Sequence, residues 1–363
     1  MILPRYINEI PFSSFFDFRG IQRYNKFKTK YPFIYNSGTS ALYAALINLN
    51  IPKDATIGVP LYSCYSVWHT VYKAGYNIKF LDIGISNSGY SYNIDDFDDI
   101  DVLVFIHYFG FLNTEIEKIR LVKPSLIIIN DMTHVVFQNN TLQTNISIYS
   151  FNFHKPIVAG AGGLLTIDNE RMKKNIEKKY LDLKEEKFVF SVKKYVKTFF
   201  KNSIYFPIIY TVLYEKVIKN RENIFIAPDL NMDIIPKKLH PIFQMIVGNQ
   251  VEHYERGEYT SNYKKLPDDF RLPVREIDIL SYFPIFAKNI QHRDKLLRFI
   301  EDMKIDHFLL WKNTLNSVKF YGLTDYTEYK KTQSILNNTI FLPQPLFLNK
   351  NKDKLEKFIK EMT

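Results

Sequence analysis

The chain has 363 residues, enough for one large α/β domain plus a smaller one, and 46% of them are hydrophobic, which excludes a disordered tail. The net charge of +10 favours anionic partners: nucleotides, phosphorylated substrates or an acidic membrane surface. Basic and acidic residues are mixed, however, with no RGG tract, zinc module or RNP signature to suggest nucleic acid, and the single cysteine, Cys64, excludes an intrachain disulfide and a cysteine-based zinc site.

The first stretch, MILPRYINEIPF, carries charges and a proline where a signal peptide needs an apolar core. The longest apolar candidate, SIYFPIIYTVLY, is too short to span a bilayer and contains Pro207. A cytoplasmic protein is therefore expected. Short Ile- and Val-rich runs then alternate with helix-like stretches: PFIY, helical SALYAALINLN, TIGVP, NIKFLDI, DVLVFIHY, SLIIIND, NISIYSF and GGLLTID. Continuous apolar runs suit strands buried on both faces, so this half reads as a mostly parallel sheet covered by helices.

After Asp168 the character changes. Glu170 to Lys187 is charged and helical, and Phe188 to Lys219 is aromatic and basic. A long helix is expected from about Pro236, leading out of the large domain. A compact α+β unit follows, with SYFPIFA and NTIFLP as strands and RDKLLRFIEDMK and KDKLEKFIKEM as helices. The division read from this pattern is a large domain over 1–240, with an expanded helical segment at about 170–230, and a small domain over 241–363.

The residues able to do chemistry fall at junctions between these elements. In NSGTSAL, a strand runs through Gly38, Thr39 and Ser40 into a helix, whose N-terminal dipole and N–H groups suit a phosphate; an ordinary serine or threonine cap explains the same residues structurally. Asp131 follows an apolar run at the carboxyl end, where open α/β sheets place ligands, and can pair with a protonated ring nitrogen or merely cap a turn. His134 lies three residues on and could face the same site or be a buried, hydrogen-bonded histidine. His107, at another strand end, reads as a satisfied core residue. Ser150 ends a further strand, and Lys155 sits five residues later, before GAGG. A partly desolvated lysine there loses some preference for its charged form, and the neutral amine can form a Schiff base. No histidine pair or carboxylate cluster has metal-ligand spacing, and no G-x-G-x-x-G or P-loop pattern occurs. A phosphate cradle, a ring-nitrogen carboxylate and a lysine are together what pyridoxal 5'-phosphate requires.

The ordered set NSGTSAL, VPLYSCYSVWHTVYKAG, VFIHYFG, IIINDMTHVV and YSFNFHKPIVAGAGG resembles the nucleotide-sugar aminotransferases of the DegT/DnrJ/StrS type, pyridoxal-phosphate enzymes of fold type I. That family's pattern runs S-G-T-S/A-A-L, V-P-x-x-T-aromatic, V-H-x-Y-G, E-D-A-A-Q/H, then F-S-F-x-x-x-K before G-E-G-G. The resemblance is close from about Tyr35 to Asp168 and looser beyond, through LNMDIIP, Arg256 and IFLPQP. It implies a seven-stranded, mostly parallel sheet in a large domain, a smaller C-terminal α+β domain, and a homodimer with active sites at the subunit interface. It also implies roles: Lys155 as the covalent anchor and proton carrier, Asp131 on the pyridine nitrogen, Thr39, Ser40 and Ser150 on the phosphate, and His134 near the ring. Asn231 would reach the partner's phosphate. The reaction implied is amino transfer, commonly from L-glutamate, to a keto sugar on a nucleoside diphosphate, for amino-sugar and surface-polysaccharide synthesis.

The chain departs from the pattern in four places. Cys64 stands where an aromatic ring usually covers the cofactor, with Tyr62 or Tyr65 as possible compensation, and Ala161 replaces the glutamate of G-E-G-G. The segment before NSGTSAL is short, and the stretch from Asp168 to Asn231 is expanded. Part of that expansion, residues 188–219, could lie on an anionic membrane surface, although a packed cover or dimer helix with a solvated basic face is the favoured reading. Two alternatives to an aminotransferase remain: a pyridoxal-phosphate sugar dehydratase, whose relatives often replace the lysine by histidine (His154 adjoins Lys155), and a non-catalytic regulator of the same fold.

Overall fold

The computed structural model describes residues 10, 12–24, 32–86, 89–135, 146–153, 155–203, 207–213, 229–253, 263–274, 278, 280, 282–307, 309, 311, 315–342 and 351–362. After α1 (Arg19–Tyr24), the first half is built from β1 (Pro32–Tyr35), α2 (Gly38–Leu46), β2 (Thr56–Pro60), α3 (Tyr65–Ala74) and β3 (Asn77–Leu81). A small hairpin follows, β4 (Ile83–Ser86) and β5 (Gly89–Tyr92), then β6 (Val102–Ile106), α4 (Glu115–Val122), β7 (Ile127–Asp131), β8 (Ile146–Ser150) and β9 (Gly163–Ile167). Seven of these strands form one sheet in the order β1-β9-β8-β7-β6-β2-β3. β2, β3, β6, β7 and β8 run parallel, and β9 pairs antiparallel with both β8 and β1. The expected α/β architecture with a mostly parallel seven-stranded sheet is thus the architecture observed.

Burial explains why these runs are strands. All five residues of β6 are buried, as are the last four of β7 and the first four of β8, so both faces of the sheet centre are covered. α2 and α3 lay Ala41, Leu42, Ala45, Trp68 and Val71 into this core. Register then sets the functional edge. Ile106 pairs with Asp131 and Asp131 with Ile148, so β6, β7 and β8 end within two residues of one another. Their carboxyl ends form a common rim.

The expanded segment folds into α5 (Glu170–Leu181), α6 (Phe188–Ser203) and α7 (Pro207–Leu213). α6 is a cover helix: its inner face brings Thr198 onto Gly160, and Lys201 lies 3.9 Å from the Phe153 ring centroid. Ile10 and Asn202 exchange two hydrogen bonds, and Phe199 packs on Phe12 and Phe15, which ties the N-terminal segment to the same helix. The outer face carries the solvated lysines expected, Lys193 and Lys197, and Val189, Phe190 and Phe200 also stand exposed on this helix.

The helix expected from about Pro236 starts later, as α8 (Pro241–His253). Residues 236–240 are extended because Asn36 donates to the Lys237 carbonyl and Lys238 bridges to Tyr35, while Pro241 suits a first helical turn. Nor does α8 lead away. Phe243, Met245, Ile246 and Val247 share a core with Phe151, Ile157, Val158 and Ala161 of the lysine loop. Beyond it come β10 (Phe283–Phe286), α9 (Ile290–Asp302), α10 (Leu315–Val318), α11 (Lys330–Asn338), β11 (Thr339–Leu342) and α12 (Asn351–Met362), with β10 and β11 paired antiparallel. This matches the strands and helices read from the sequence in that half. Arg256 and His154 lie outside the described residues, as do residues 214–219 of the aromatic and basic segment.

Candidate active site

At the rim of β7 and β8 a cleft of about 380 Å³ opens, lined from the first half by Gly38, Thr39, Cys64, Asp131, His134, Ser150 and Lys155. These seven residues, each singled out from the sequence, therefore meet in one place. Asp131 is the last residue of β7; its Oδ1 accepts the Thr133 N–H at 2.9 Å, and its backbone carbonyl accepts the His107 N–H at 3.0 Å. Ser150 is the last residue of β8. Gly38 packs directly on it: a Cβ on Gly38 would stand 2.8 Å from Ser150 Cβ and 3.1 Å from its Oγ. Only glycine lets the first turn of α2 lie against that hydroxyl, and the result is a cradle with a helix dipole at its floor. These residues fit a phosphate group.

In NSGTSAL the cap and the cleft lining fall on different residues. Ser37 is the cap of α2: its Oγ accepts the Ser40 N–H at 3.0 Å, and its hydroxyl donates to Ser40 Oγ at 3.0 Å. Ser40 is buried in this cap and does not line the cleft, whereas Gly38 and Thr39 do. Asn231 is not brought into the cleft either. It sits on an exposed turn, its N–H donating to Asp229 Oδ1 at 3.0 Å, and the turn docks on α3 through His69 Nε2 and the Met232 carbonyl, 3.0 Å apart.

Lys155 is half-buried, and its Nζ donates to Thr133 Oγ1 at 3.2 Å. Burial lowers its pKa below the usual 10.5, with Asp131 and Cys64 acting in the opposite direction. The loop carrying it is held from behind. Ala159 and Gly160 both donate to the Phe151 carbonyl, and Gln250 of α8 accepts from Val158 N–H and donates to its carbonyl. Ala161, in place of a glutamate, is buried in the apolar cluster beneath this loop.

His134 is buried in a cluster of three mutually adjacent rings, 5.3 Å from Phe109 at 27° and 5.6 Å from Trp311 at 22°, with Phe109 and Trp311 themselves 5.9 Å apart. Its Nδ1 accepts the Phe109 N–H at 3.4 Å, so the neutral ring carries its proton on Nε2. Burial, then repulsion from Lys155, holds its pKa well below the ordinary 6.5. Cys64 occupies the cap position of α3 and accepts from the Ser66 hydroxyl at 3.2 Å. Of the two tyrosines beside it, Tyr65 lines the cleft, and Tyr62 is buried in a cluster with Tyr90 and Tyr108. His107 is the satisfied core residue expected: Nδ1 accepts from Asn113 N–H at 3.1 Å and Nε2 lies 3.2 Å from Asn130 Oδ1.

Sequence reasoning missed Thr133, Asn152, Phe153, Tyr282 and Trp311, all of which line the cleft. The first three lie inside motifs already quoted. Tyr282 and Trp311 come from the second half and carry no local signal. Among the described residues, no group of three or more His, Cys, Asp or Glu side chains is placed to hold a metal, and no helix is long and apolar enough to cross a membrane.

Residues 21–185 match the model of the DegT/DnrJ/EryC1/StrS aminotransferase family, a stretch that runs from before NSGTSAL to beyond the Lys155 loop. The uncharacterised protein MJ1066 of Methanocaldococcus jannaschii is 26% identical over 165 residues, and the match spans 42% of that relative's length. Solved structures extend the likeness over the whole chain. The putative sugar aminotransferase Spr1654 from Streptococcus pneumoniae, in its PMP form, superposes with a TM-score of 0.69 at 13% identity, covering 100% of both chains. The E. coli GDP-4-keto-6-deoxy-D-mannose-3-dehydratase gives 0.67 at 16%, covering 99% and 100%. Helicobacter pylori PseC, an aminotransferase of pseudoaminic acid biosynthesis, gives 0.61 at 16%, covering 99% and 92%. At these identities the structures establish a shared fold.

Proposed function

We propose that this chain, with the DegT/DnrJ/EryC1/StrS aminotransferase match over residues 21–185 as premise, is a pyridoxal-phosphate-dependent aminotransferase that moves an amino group, from L-glutamate, to a nucleotide-linked keto sugar. One observation carries the reading: Asp131, Lys155, Ser150 and the Gly38–Thr39 turn line a single cleft at the carboxyl ends of parallel strands. When bound, pyridoxal phosphate supplies an electron sink that stabilises negative charge on a substrate carbon. The chain's own residues supply the rest. Gly38, Thr39 and Ser150 take the phosphate, Asp131 keeps the ring nitrogen protonated, and Lys155 provides the covalent anchor and later carries a proton between carbon atoms. His134 Nε2–H is available to the ring substituents, and Tyr65 is the aromatic side chain closest in sequence to the Cys64 position.

The same reading makes the protein a cytoplasmic homodimer with a large and a small domain; the boundary expected at 240 moves past α8, whose core is shared with the lysine loop, so the small domain follows His253. The exposed turn bearing Asn231 then faces the partner's cofactor phosphate. The apolar outer face of α6 supports burial against a second copy more than a free surface. Synthesis of amino sugars for surface polysaccharide is the role that fits such a product.

The test is spectroscopic. Purified protein should show the visible absorbance of bound pyridoxal phosphate, L-glutamate should bleach it with release of 2-oxoglutarate, and Lys155→Ala should abolish the borohydride-stable link between protein and cofactor. A bound cofactor that glutamate leaves unchanged would move the reading to a dehydratase or a regulator.

A further inference from the structure

We propose that Thr133 is a positioning residue for Lys155: its hydroxyl holds the lysine amine against the Asp131 side of the cleft whenever that amine is not covalently engaged. The inference rests on the function proposed above, but the contact that carries it belongs to the chain alone.

Thr133 works in two directions at once. Its backbone N–H donates to Asp131 Oδ1 at 2.9 Å, and its side-chain oxygen receives Lys155 Nζ at 3.2 Å. One residue therefore couples the orientation of the carboxylate to that of the amine. The turn that presents it is fixed, because Met132 N–H donates to the Ile148 carbonyl at 2.8 Å and Val135 N–H to the Met132 carbonyl at 2.9 Å. A β-branched side chain on such a turn has few χ1 choices, so the hydroxyl is a stationary target. Lysine is the opposite case. Its four-carbon stem costs up to about 2 kcal/mol of rotamer entropy to order, and an amine that carries a proton between two atoms has to be ordered each time it is released.

The family pattern E-D-A-A-Q/H has alanine where this chain, reading N-D-M-T-H, has Thr133, and alanine offers no hydroxyl. The anchor is thus a feature of this chain. The titratable groups around Lys155 are Asp131 on β7, His134 in the next turn, Cys64 and Tyr65 at the head of α3, and Tyr282 before β10. An oxygen that accepts from the amine favours its protonated form, and so opposes the effect of burial.

The contact can be tested without cofactor, by competitive acetylation of Lys155 across pH, read by mass spectrometry in the cofactor-free protein. Thr133→Val should move the acidic limb of Lys155 reactivity downward by about one pH unit, with Thr133→Ser restoring the wild-type curve. Thr133→Ala, should the valine variant fail to fold, must shift in the same direction. In the loaded enzyme Thr133→Val should lower kcat for amino transfer about tenfold at unchanged KM for the amino donor. Labelling curves that superimpose for Thr133→Val, Thr133→Ala and wild type overturn the proposal. A shifted curve in a protein that takes up no pyridoxal phosphate leaves the contact intact and sinks the function instead.

Discussion

The two sides of the cleft were built by different means. One side is the rim of β7 and β8, where Asp131 and Ser150 stand at fixed ends of paired strands and Gly38 is pressed on Ser150 by the start of α2. The other side and the backing are assembled from distant chain: Trp311 stacks on His134, Tyr282 lies beside it, and α6 with α8 supports the lysine loop. On the rim, backbone pairing sets the geometry, so chemistry and fold are separable. In the backing, side-chain packing sets the geometry, and they are not. Substitutions should therefore damage activity without stability on the first side and stability before activity on the second.

The largest effect is expected from Asp131→Asn. The amide keeps an oxygen for the Thr133 N–H, so the turn survives, but the charge proposed to keep a ring nitrogen protonated is gone. Loss of a charge-assisted hydrogen bond is worth about 1.5–3 kcal/mol, or roughly a 10- to 150-fold fall in kcat/KM. The thermal midpoint of the cofactor-free protein should hardly move. A large drop in that midpoint would show that the rim is not the independent frame described above.

Gly160→Ala probes the opposite side. Gly160 has φ +76°, a conformation costly for any residue with a Cβ, and the added methyl would overlap the Thr198 hydroxyl and come within 2.8 Å of its Cγ2. The cost is expected to be about 1–3 kcal/mol of stability, measured by urea denaturation. Every residue proposed to touch cofactor is left in place, so activity per folded molecule should fall far less than stability. A Gly160→Ala variant as stable as wild type would mean that α6 does not clamp the lysine loop.

The same contrast explains what was legible in the sequence. A strand followed by Asp131, or by Ser150 and a lysine five residues on, reports its own position, because apolar period and strand end are local properties. The seven-stranded sheet and most of the cleft's first side follow from such signals. Ser40 is the exception, since the cap that turned its hydroxyl inward begins three residues earlier, at Ser37. Trp311 and Tyr282 were invisible because only tertiary packing brings them to His134. The start of α8 was misplaced for a related reason: residues 236–240 are held extended by Asn36 and Tyr35, some two hundred positions away.

His134 lies where the two sides meet, and it gives the smallest but most diagnostic effect. Its imidazole is neutral in the folded protein, with a pKa held below 6.5 by burial and by Lys155. Below pH 6.5 the unfolded chain binds a proton that the folded chain refuses, so stability must fall as pH falls, by up to about 1.4 kcal/mol per pH unit until the folded-state pKa is reached. Lys155, also depressed, contributes the same sign at higher pH, where stability rises as pH climbs toward 10.5. His134→Phe keeps a ring against Phe109 and Trp311 and removes the titration, together with the long Phe109 N–H contact to Nδ1, whose loss does not vary with pH in this range. Urea midpoints of the cofactor-free variant between pH 6.5 and 5 should therefore decline less steeply than those of wild type. If the two slopes coincide, His134 takes up its proton in the folded cleft, and the stack with Trp311 is open to water rather than the dry seam that joins the rim to its backing.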